Sequence, residues 1–265
     1  MAPRPPAGYL LLEGPNPKFR VTAPPFRPEG LKVVVFDVDG TLYRQAPLRR
    51  AMLLRLLGSY ATRPLEGWRT VRALSAYRHA QEALRGEACA DVAEAQLAHA
   101  CARTDFDRAV VRECVDRWME REPLSILGRF RYPGLVEFLQ ACRGGGLRLA
   151  ALSDYPAAGK LEALGIAEHF DLVLCAQSPE IGVFKPNPRG LAVALHRLGV
   201  TPAECLYVGD RPDVDAAAAH AAGTASVIVS SSAGKPADRH TTVSGYPQLH
   251  ALLFGGGEPR RLAAA

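Results

Sequence analysis

The fold of this 265-residue chain is decided by the stretch Val33-Val34-Val35-Phe36-Asp37-Val38-Asp39-Gly40-Thr41-Leu42-Tyr43. Its first four residues are apolar and mostly β-branched. They lack the alternation of a half-buried strand, so they predict a central parallel strand that is buried on both faces. The strand ends at two carboxylates separated by one residue. Ligands of open parallel sheets bind beyond the carboxyl ends of the strands, so the functional site is expected here.

After Pro133 the pattern alternates between helix and strand. Further strands are predicted at 147–152, 172–175, 205–208 and 225–229, and helices at 134–142, 156–164, 188–198, 213–221 and 246–254. Repeated β-α-β units with short connections indicate an α/β fold. We therefore expect a doubly wound parallel sheet with helices on both faces.

Residues 46–128 differ in character from this alternating region. They are rich in Ala, Leu and Arg and place their apolar residues at helical spacing, which predicts about four helices. We expect an inserted α-helical cap domain that divides a catalytic core into residues 31–45 and 129–254. Residues 1–30 are rich in proline and predict a flexible arm, and residues 255–265 predict a flexible tail.

Composition restricts the possible classes of function. The chain is 48% hydrophobic, but it has no apolar run of about 18 residues or more, so no membrane span is predicted. The first residues show no contiguous apolar stretch, so no secretory signal is predicted, and the six cysteines form no CxxC pair; we therefore expect a cytoplasmic protein with free thiols. The net charge of +5 comes mostly from arginine that is interleaved with acidic residues. This pattern favours a small anionic partner over nucleic acid.

The predicted strands of the core deliver polar side chains where they end. The groups expected to meet at this edge of the sheet are Asp37, Asp39 and Thr41 after the first strand, Ser153 and Asp154 after the second, Lys185 in the loop after the third, and Asp210, Asp213 and Asp215 after the fourth. So many carboxylates in one crevice repel one another unless a divalent cation lies among them. The sequence therefore predicts a metal site at this edge.

Four of these segments resemble, as an ordered set, the motifs of the haloacid dehalogenase-like (HAD) superfamily of hydrolases. Residues 37–41 resemble its DxDGT motif, Ser153 its second motif, Lys185 its third, and Asp210 with Asp215 its fourth. The helical insert lies where this family carries a type 1 cap. The resemblance extends to the phosphoglycolate-phosphatase-like subfamily and implies a HAD-like Rossmannoid core.

The resemblance implies a Mg²⁺-dependent phosphatase that acts on a small phosphorylated metabolite. Asp37 would attack phosphorus and form an aspartyl-phosphate, and Asp39 would protonate the leaving group and later activate water. The role of Asp39 as acid and then as base requires a carboxyl group whose pKa lies nearer neutrality than that of a free aspartate. Mg²⁺ would be held by Asp37, the backbone carbonyl of Asp39 and Asp210.

The remaining motif residues would bind phosphate or orient the other groups. Thr41 and Ser153 would donate hydrogen bonds to the phosphoryl oxygens, and Lys185 would offset the charge of the transition state. Asp215, with Asp213 as a second candidate, would orient Lys185 or the water ligands of the metal. Asp213 has the alternative role of a helix N-cap.

Several questions stay open at the level of sequence. Asp154 stands where many members of the family carry asparagine, and it adds a negative group near the phosphate unless it turns away, for example to cap the helix near Pro156.

Asp39 favours phosphoryl transfer over dehalogenation, because a halide leaves without a proton. A phosphomutase of the β-phosphoglucomutase type and a non-catalytic HAD-fold binding protein remain alternatives. The candidates for binding a second anionic group of the substrate are Arg44, Arg49, Arg50, Arg69, Arg72 and Arg78. The sequence leaves the oligomeric state undetermined.

Overall fold

The computed structural model describes residues 30–89, 91–230 and 240–255. The predicted arm and the predicted tail therefore lie outside the described residues, apart from Gly30 and Gly255 at their inner ends. The strands are β1 (Val33–Phe36), β2 (Arg148–Ser153), β3 (Leu172–Cys175), β4 (Cys205–Gly209), β5 (Ala225–Val229) and β6 (Thr241–Val243). The helices are α1 (Gln45–Ser59), α2 (Pro64–Ala83), α3 (Val92–Thr104), α4 (Arg108–Val115), α5 (Leu124–Leu127), α6 (Leu135–Gly144), α7 (Ala158–Ala163), α8 (Arg189–Leu198), α9 (Ala217–Ala221) and α10 (Tyr246–Phe254).

The six strands form one sheet in the order β3-β2-β1-β4-β5-β6, and every neighbouring pair is parallel. β1 lies in the interior of the sheet, and all four of its residues are buried. Val34 and Phe36 pack in one core with α6 and α10, whereas Val33 and Val35 pack in a second core with α8. The chain therefore winds helices onto both faces of the sheet, and the predicted doubly wound α/β fold is confirmed.

The predicted elements of the core are all present, with small differences at their ends. The bounds of β1, β3, β5 and α10 agree with the prediction. The helix predicted over 213–221 begins instead as a π-helical turn, Pro212–Ala216, before it continues as α9. The sequence analysis missed β6, because its three residues are too few to show a period.

Five helices, α1 to α5, follow β1 over the region for which the sequence predicts a helical cap. Their own core is built on small residues: Ala73, Ala76 and Ala80 of α2 pack with Leu97 of α3 and Val111 of α4. Alanine at these positions lets the three helices approach closely. Among the described residues, no helix has both the length and the apolar character that crossing a bilayer requires. All six cysteines are free thiols.

Candidate active site

Strand register brings the predicted site residues to one edge of the sheet. Phe36, the last residue of β1, lies opposite Ala151 of β2 and Val208 of β4. The next residue, Asp37, continues this pairing, because its backbone N–H donates to the carbonyl of Val208 at 2.8 Å. Ser153 ends β2, and Asp210 directly follows β4. Since all these strands are parallel, their carboxyl ends lie side by side.

Two glycines allow the strand ends to approach closely. Gly40 has φ of +103°, and a Cβ atom at this position would lie 2.2 Å from Oδ2 of Asp210. A Cβ atom at Gly209 would lie 2.4 Å from the Cβ of Asp215. Only glycine avoids both the positive-φ strain and the overlap at position 40. The Asp210 carboxylate therefore occupies the space that a side chain at position 40 would fill.

The ammonium group of Lys185 is the centre of a buried ion-pair cluster. Its Nζ lies 2.5 Å from Oδ1 of Asp37 and 2.7 Å from Oδ1 of Asp215, and it donates to the hydroxyl of Tyr207 at 3.2 Å. Burial alone would lower the pKa of Lys185, but Asp215 and Asp37 raise it well above its ordinary value. Lys185 is therefore a fixed positive charge against the predicted nucleophile.

Asp215 has the orienting position for which the sequence offered two candidates. Its Oδ2 accepts the backbone N–H groups of Asp210 and Arg211 at 3.1 and 3.0 Å, while its Oδ1 binds Lys185. Asp213 is exposed instead, and its carboxylate pairs with Arg211 at 2.6 Å rather than with Lys185. The N-cap position before this turn is Arg211, so the N-cap interpretation of Asp213 is also wrong.

Three carboxylates form a group that could hold a cation. One oxygen from each of Asp37, Asp210 and Asp215 lies within 4.8 Å of the others. Burial, opposed by Lys185 and reinforced by the other carboxylates, raises the pKa of Asp37 well above its ordinary value. Burial and the charge of Asp215 raise the pKa of Asp210 to about 7. Carboxylates perturbed in this way favour a nearby divalent cation, and their oxygens are the ligands that Mg²⁺ prefers.

The residues present therefore fit Mg²⁺, although the grouping differs in one respect from the predicted ligand set. Asp215 joins Asp37 and Asp210, whereas the carboxylate of Asp39 turns elsewhere. The atom predicted to serve from Asp39 is its backbone carbonyl, which leaves that side chain free for other contacts. Both oxygens of Asp215 already accept hydrogen bonds, so Asp215 is better suited to orient its neighbours than to bind the ion directly.

The carboxylate of Asp39 contacts a lysine that the sequence analysis did not single out. Nζ of Lys160, on α7, lies 2.6 and 2.7 Å from its two oxygens, and the hydroxyl of Tyr43 donates to Oδ1. Burial alone would raise the pKa of Asp39, but the charge and the hydrogen bonds of Lys160, with that of Tyr43, lower it below its ordinary value. The expectation of a pKa nearer neutrality is therefore wrong for this arrangement, because Lys160 stabilises the ionised form.

The two predicted phosphate-binding hydroxyls are fully buried beside the carboxylates. Thr41 donates from Oγ1 to Oδ2 of Asp37 at 2.9 Å. Ser153 accepts the backbone N–H of Tyr155 at 3.2 Å and lies 3.5 Å from Oδ2 of Asp39. Each hydroxyl is therefore at the strand edge and oriented by a neighbour.

Asp154 does not cap the helix that follows it, since the N-cap position of α7 is Ala157. Its Oδ2 accepts hydrogen bonds from Gln81 and Arg85, both at 2.9 Å. The negative charge that this residue adds is thus paired with Arg85, a cation just after the end of α2.

A cavity of about 540 Å³ opens over this edge of the sheet. Its floor includes Asp37, Asp39 and Lys185, and its walls come from α1, α2 and residues 115–127. The walls combine apolar side chains with Arg49 and Arg78. A cavity of this size and mixed lining suits a small ligand.

Residues 31–223 match the family model described as haloacid dehalogenase-like hydrolase. The chain belongs to this family. The predicted membership in the HAD superfamily is therefore confirmed, and it agrees with a site built from four strand-end segments in the order that the sequence analysis identified.

Relatives of this HAD-like hydrolase include phosphatases. A phosphoglycolate phosphatase from Pseudomonas putida is 28% identical over 236 residues, which cover 86% of this chain and 80% of the relative. A phosphoserine phosphatase from Thermus thermophilus is 32% identical over 225 residues, which cover 75% of this chain and 88% of the relative. A solved HAD phosphatase from Thermococcus onnurineus shares the fold with a TM-score of 0.60 at 22% identity, covering 85% of this chain and 99% of that one. Both curated relatives carry names of phosphoric monoester hydrolases, in agreement with the predicted class of enzyme.

The sequence analysis of this HAD-like hydrolase missed Lys160, Tyr43 and Arg85 as members of the site. Tyr43 lies two residues after the end of the first motif, so its proximity to Asp39 had a sequence signal. Lys160 lies within the first helix after β2, a position from which a long side chain reaches back to the strand end. Arg85 comes from the helical insert, and no spacing in the sequence relates it to Asp154.

Substitution of Gly40 tests how closely β1 and Asp210 approach each other. Gly40→Ala places a methyl group against the Asp210 carboxylate at positive φ, so we expect the free energy of unfolding to fall by about 1–3 kcal/mol. Gly58→Ala on α1 is the matched control, because nothing lies within 4 Å of its added Cβ. Urea unfolding of both variants measures the difference. Equal stability of the two variants would contradict the close approach.

Proposed function

We propose that this protein is a Mg²⁺-dependent phosphatase that hydrolyses a small phosphomonoester through an aspartyl-phosphate on Asp37. The observation that carries the proposal is the arrangement of Asp37 itself. It lines the cavity, belongs to a group of three carboxylates, and is bound by a buried ammonium group. The phosphatase names of the relatives support the same class of reaction.

Asp37 is oriented for attack because both of its oxygens are held. Lys185 binds Oδ1 at 2.5 Å, and Thr41 donates to Oδ2 at 2.9 Å. In the first step an oxygen of Asp37 forms a bond to phosphorus as the bond to the leaving oxygen breaks. Lys185, Thr41 and Ser153 then stabilise the phosphoryl oxygens at the same strand edge.

Asp39 completes the proton balance in this proposal. It gives a proton to the leaving oxygen in the first step, and it takes a proton from the water that hydrolyses the aspartyl-phosphate in the second. Lys160 favours the ionised form of Asp39. A phosphate dianion beside Asp39 raises its pKa by like-charge repulsion and favours the proton that the first step needs.

The residues that would hold Mg²⁺ are Asp37, Asp210 and the backbone carbonyl of Asp39. When bound, the ion supplies positive charge that lets a carboxylate approach a phosphate dianion. Asp215 holds the backbone of Asp210 through two N–H groups and so maintains the position of that ligand. Gly40, which has no side chain, lets the Asp210 carboxylate lie against this segment.

The cavity supports a more specific proposal for the leaving group. Of the six candidate arginines, Arg49 and Arg78 line the cavity, whereas the guanidinium groups of Arg69 and Arg72 lie over the ring of Phe106. Neither Arg49 nor Arg78 has a hydrogen-bond or ion-pair partner among the described residues. Burial and the charge of Arg49 lower the pKa of Arg78. We infer that the pair binds a carboxylate or a second phosphate on the leaving group.

Removal of the nucleophile or of the metal is the primary test of the function. For Asp37→Asn, and for the wild type in EDTA, we expect turnover of p-nitrophenyl phosphate to fall to about one thousandth or less. Asp213→Asn is the matched control, because its carboxylate is exposed and pairs only with Arg211. Acid-stable, hydroxylamine-sensitive labelling by a ³²P substrate detects the acyl phosphate. Turnover that survives Asp37→Asn would rule out this nucleophile, and transfer to a sugar phosphate without phosphate release would indicate the phosphomutase alternative.

The acid role of Asp39 predicts a dependence on the leaving group. In Asp39→Asn, kcat/KM for an alkyl phosphate should fall by about 10²-fold to 10⁴-fold, the usual contribution of general acid catalysis. The fall should be much smaller for p-nitrophenyl phosphate, because nitrophenolate leaves without a proton. Steady-state kinetics on the two substrates measure the contrast. An equal loss on both would show that Asp39 does not protonate the leaving group.

The arginine pair predicts which substrates are preferred. For Arg78→Met or Arg49→Met, kcat/KM on phosphomonoesters with a second anionic group should fall by about 10-fold to 100-fold, the value of one charged hydrogen bond. Turnover of p-nitrophenyl phosphate, which lacks that group, should change little. Arg50→Met, next to Arg49 on α1, is the control, because Arg50 is not among the residues that line the cavity. A uniform loss on all substrates would contradict recognition of a second anion.

A further inference from the structure

The segment of the helical insert between α2 and α3 is bonded to the loop that carries Lys185. Arg85 lies two residues after α2, and its backbone forms a parallel bridge with Phe184. From Nη1 it donates to Oδ2 of Asp154 at 2.9 Å and to the backbone carbonyl of Lys185 at 2.8 Å. The side chains of Arg85 and Asp154 are only 14% and 10% exposed. This ion pair is therefore shielded from solvent, and Arg85 has two hydrogen-bond acceptors in the core: the Asp154 carboxylate and the Lys185 carbonyl.

Asp154 completes a closed set of contacts around the same peptide backbone. Its Oδ1 lies 3.4 Å from the backbone N–H of Lys185, while its Oδ2 accepts from Arg85. The N–H and the C=O of Lys185 are thus held by the two members of one ion pair. Beyond this backbone, the Lys185 ammonium contacts Asp37 and Asp215. A displacement of the ion pair would move the residue that holds the nucleophile.

The opposite edge of the guanidinium is also occupied. Nε and Nη2 of Arg85 bind the two oxygens of Glu82 at 2.9 and 3.0 Å. Glu82 in turn accepts from Arg211, next to Asp210, at 2.9 Å. A planar guanidinium makes all these contacts at once, which an ammonium group cannot do. Arg85 therefore has a fixed orientation from which it reaches both Asp154 and Lys185.

We propose that Arg85 is a positioning residue, which neutralises Asp154 and fixes the backbone of Lys185 so that the lysine ammonium stays on Asp37. Through this contact the end of α2 is coupled to the phosphate-binding edge of the sheet. The effect on catalysis rests on the proposed function, whereas the ion pair and its effect on anion binding do not. Without Arg85, Asp154 is a nearly buried carboxylate with no cationic partner, and its charge opposes an anion bound at Lys185.

Two substitutions and their combination test this role. Arg85→Met should weaken the binding of inorganic phosphate by about tenfold or more, because it leaves the Asp154 carboxylate unpaired. Asp154→Asn alone should have a small effect, since an amide oxygen still accepts the Lys185 N–H. Arg85→Met combined with Asp154→Asn should bind phosphate better than Arg85→Met alone. Arg197→Met is the control, because it breaks an exposed arginine–carboxylate pair with Glu180.

Titration calorimetry with inorganic phosphate and Mg²⁺, urea unfolding and kinetics on p-nitrophenyl phosphate supply the readouts. Recovery of phosphate affinity in the double variant supports the role, whereas a double variant as weak as Arg85→Met overturns it, as does unchanged affinity in Arg85→Met. A merely structural arginine would shift the urea midpoint in all variants without this recovery. Calorimetry needs no turnover. If the wild type hydrolyses no substrate but the double variant recovers phosphate affinity, the positioning role is supported and the phosphatase proposal is refuted.

Discussion

The site depends on one constraint, the need to balance charge where several acidic strand ends meet largely shielded from water. Asp37 and Asp215 are nearly buried, and Asp210 lies beside them. One internal cation, Lys185, touches the first two at 2.5 and 2.7 Å. Burial raises the pKa values of Asp37 and Asp210, and the negative charge that remains in excess around Lys185 raises them further. A divalent cation would relieve that excess, which is the physical basis of the proposed metal site.

Much of this site was predictable, because the strand ends are local in sequence. The apolar run before Asp37 fixes where β1 ends, and the parallel register of β2 and β4 places their carboxyl ends beside it. Once the strands are parallel, Ser153 and Asp210 lie next to Asp37 whatever the intervening chain does. The loop after β3 brings Lys185 to the same edge for the same reason. The motif order added the expected roles, and the matching family model agrees with that order.

The electrostatic partners of the motif residues were much less predictable. Lys160 reaches Asp39 from 121 residues away in the chain, and Arg85 reaches Asp154 from 69. Such pairs depend on how the helices dock onto the sheet, which neither periodicity nor composition specifies. They alter the chemistry all the same, since Lys160 lowers the pKa of Asp39 where a raised value was expected. Likewise, the sequence offers both Asp213 and Asp215 as orienting carboxylates, and the structure separates an exposed ion pair of Asp213 from a buried one of Asp215.

The proposed mechanism requires a divalent ion that is bound between the end of β1 and the end of β4. The most direct measurement is the anomalous difference density of a crystal that contains Mn²⁺ in place of Mg²⁺. We expect one strong peak in contact with carboxylate oxygens of Asp37 and Asp210 and with the backbone carbonyl of Asp39. A map without a peak at this position, in crystals held at millimolar Mn²⁺, would contradict it, as would an ion bound only by exposed carboxylates elsewhere.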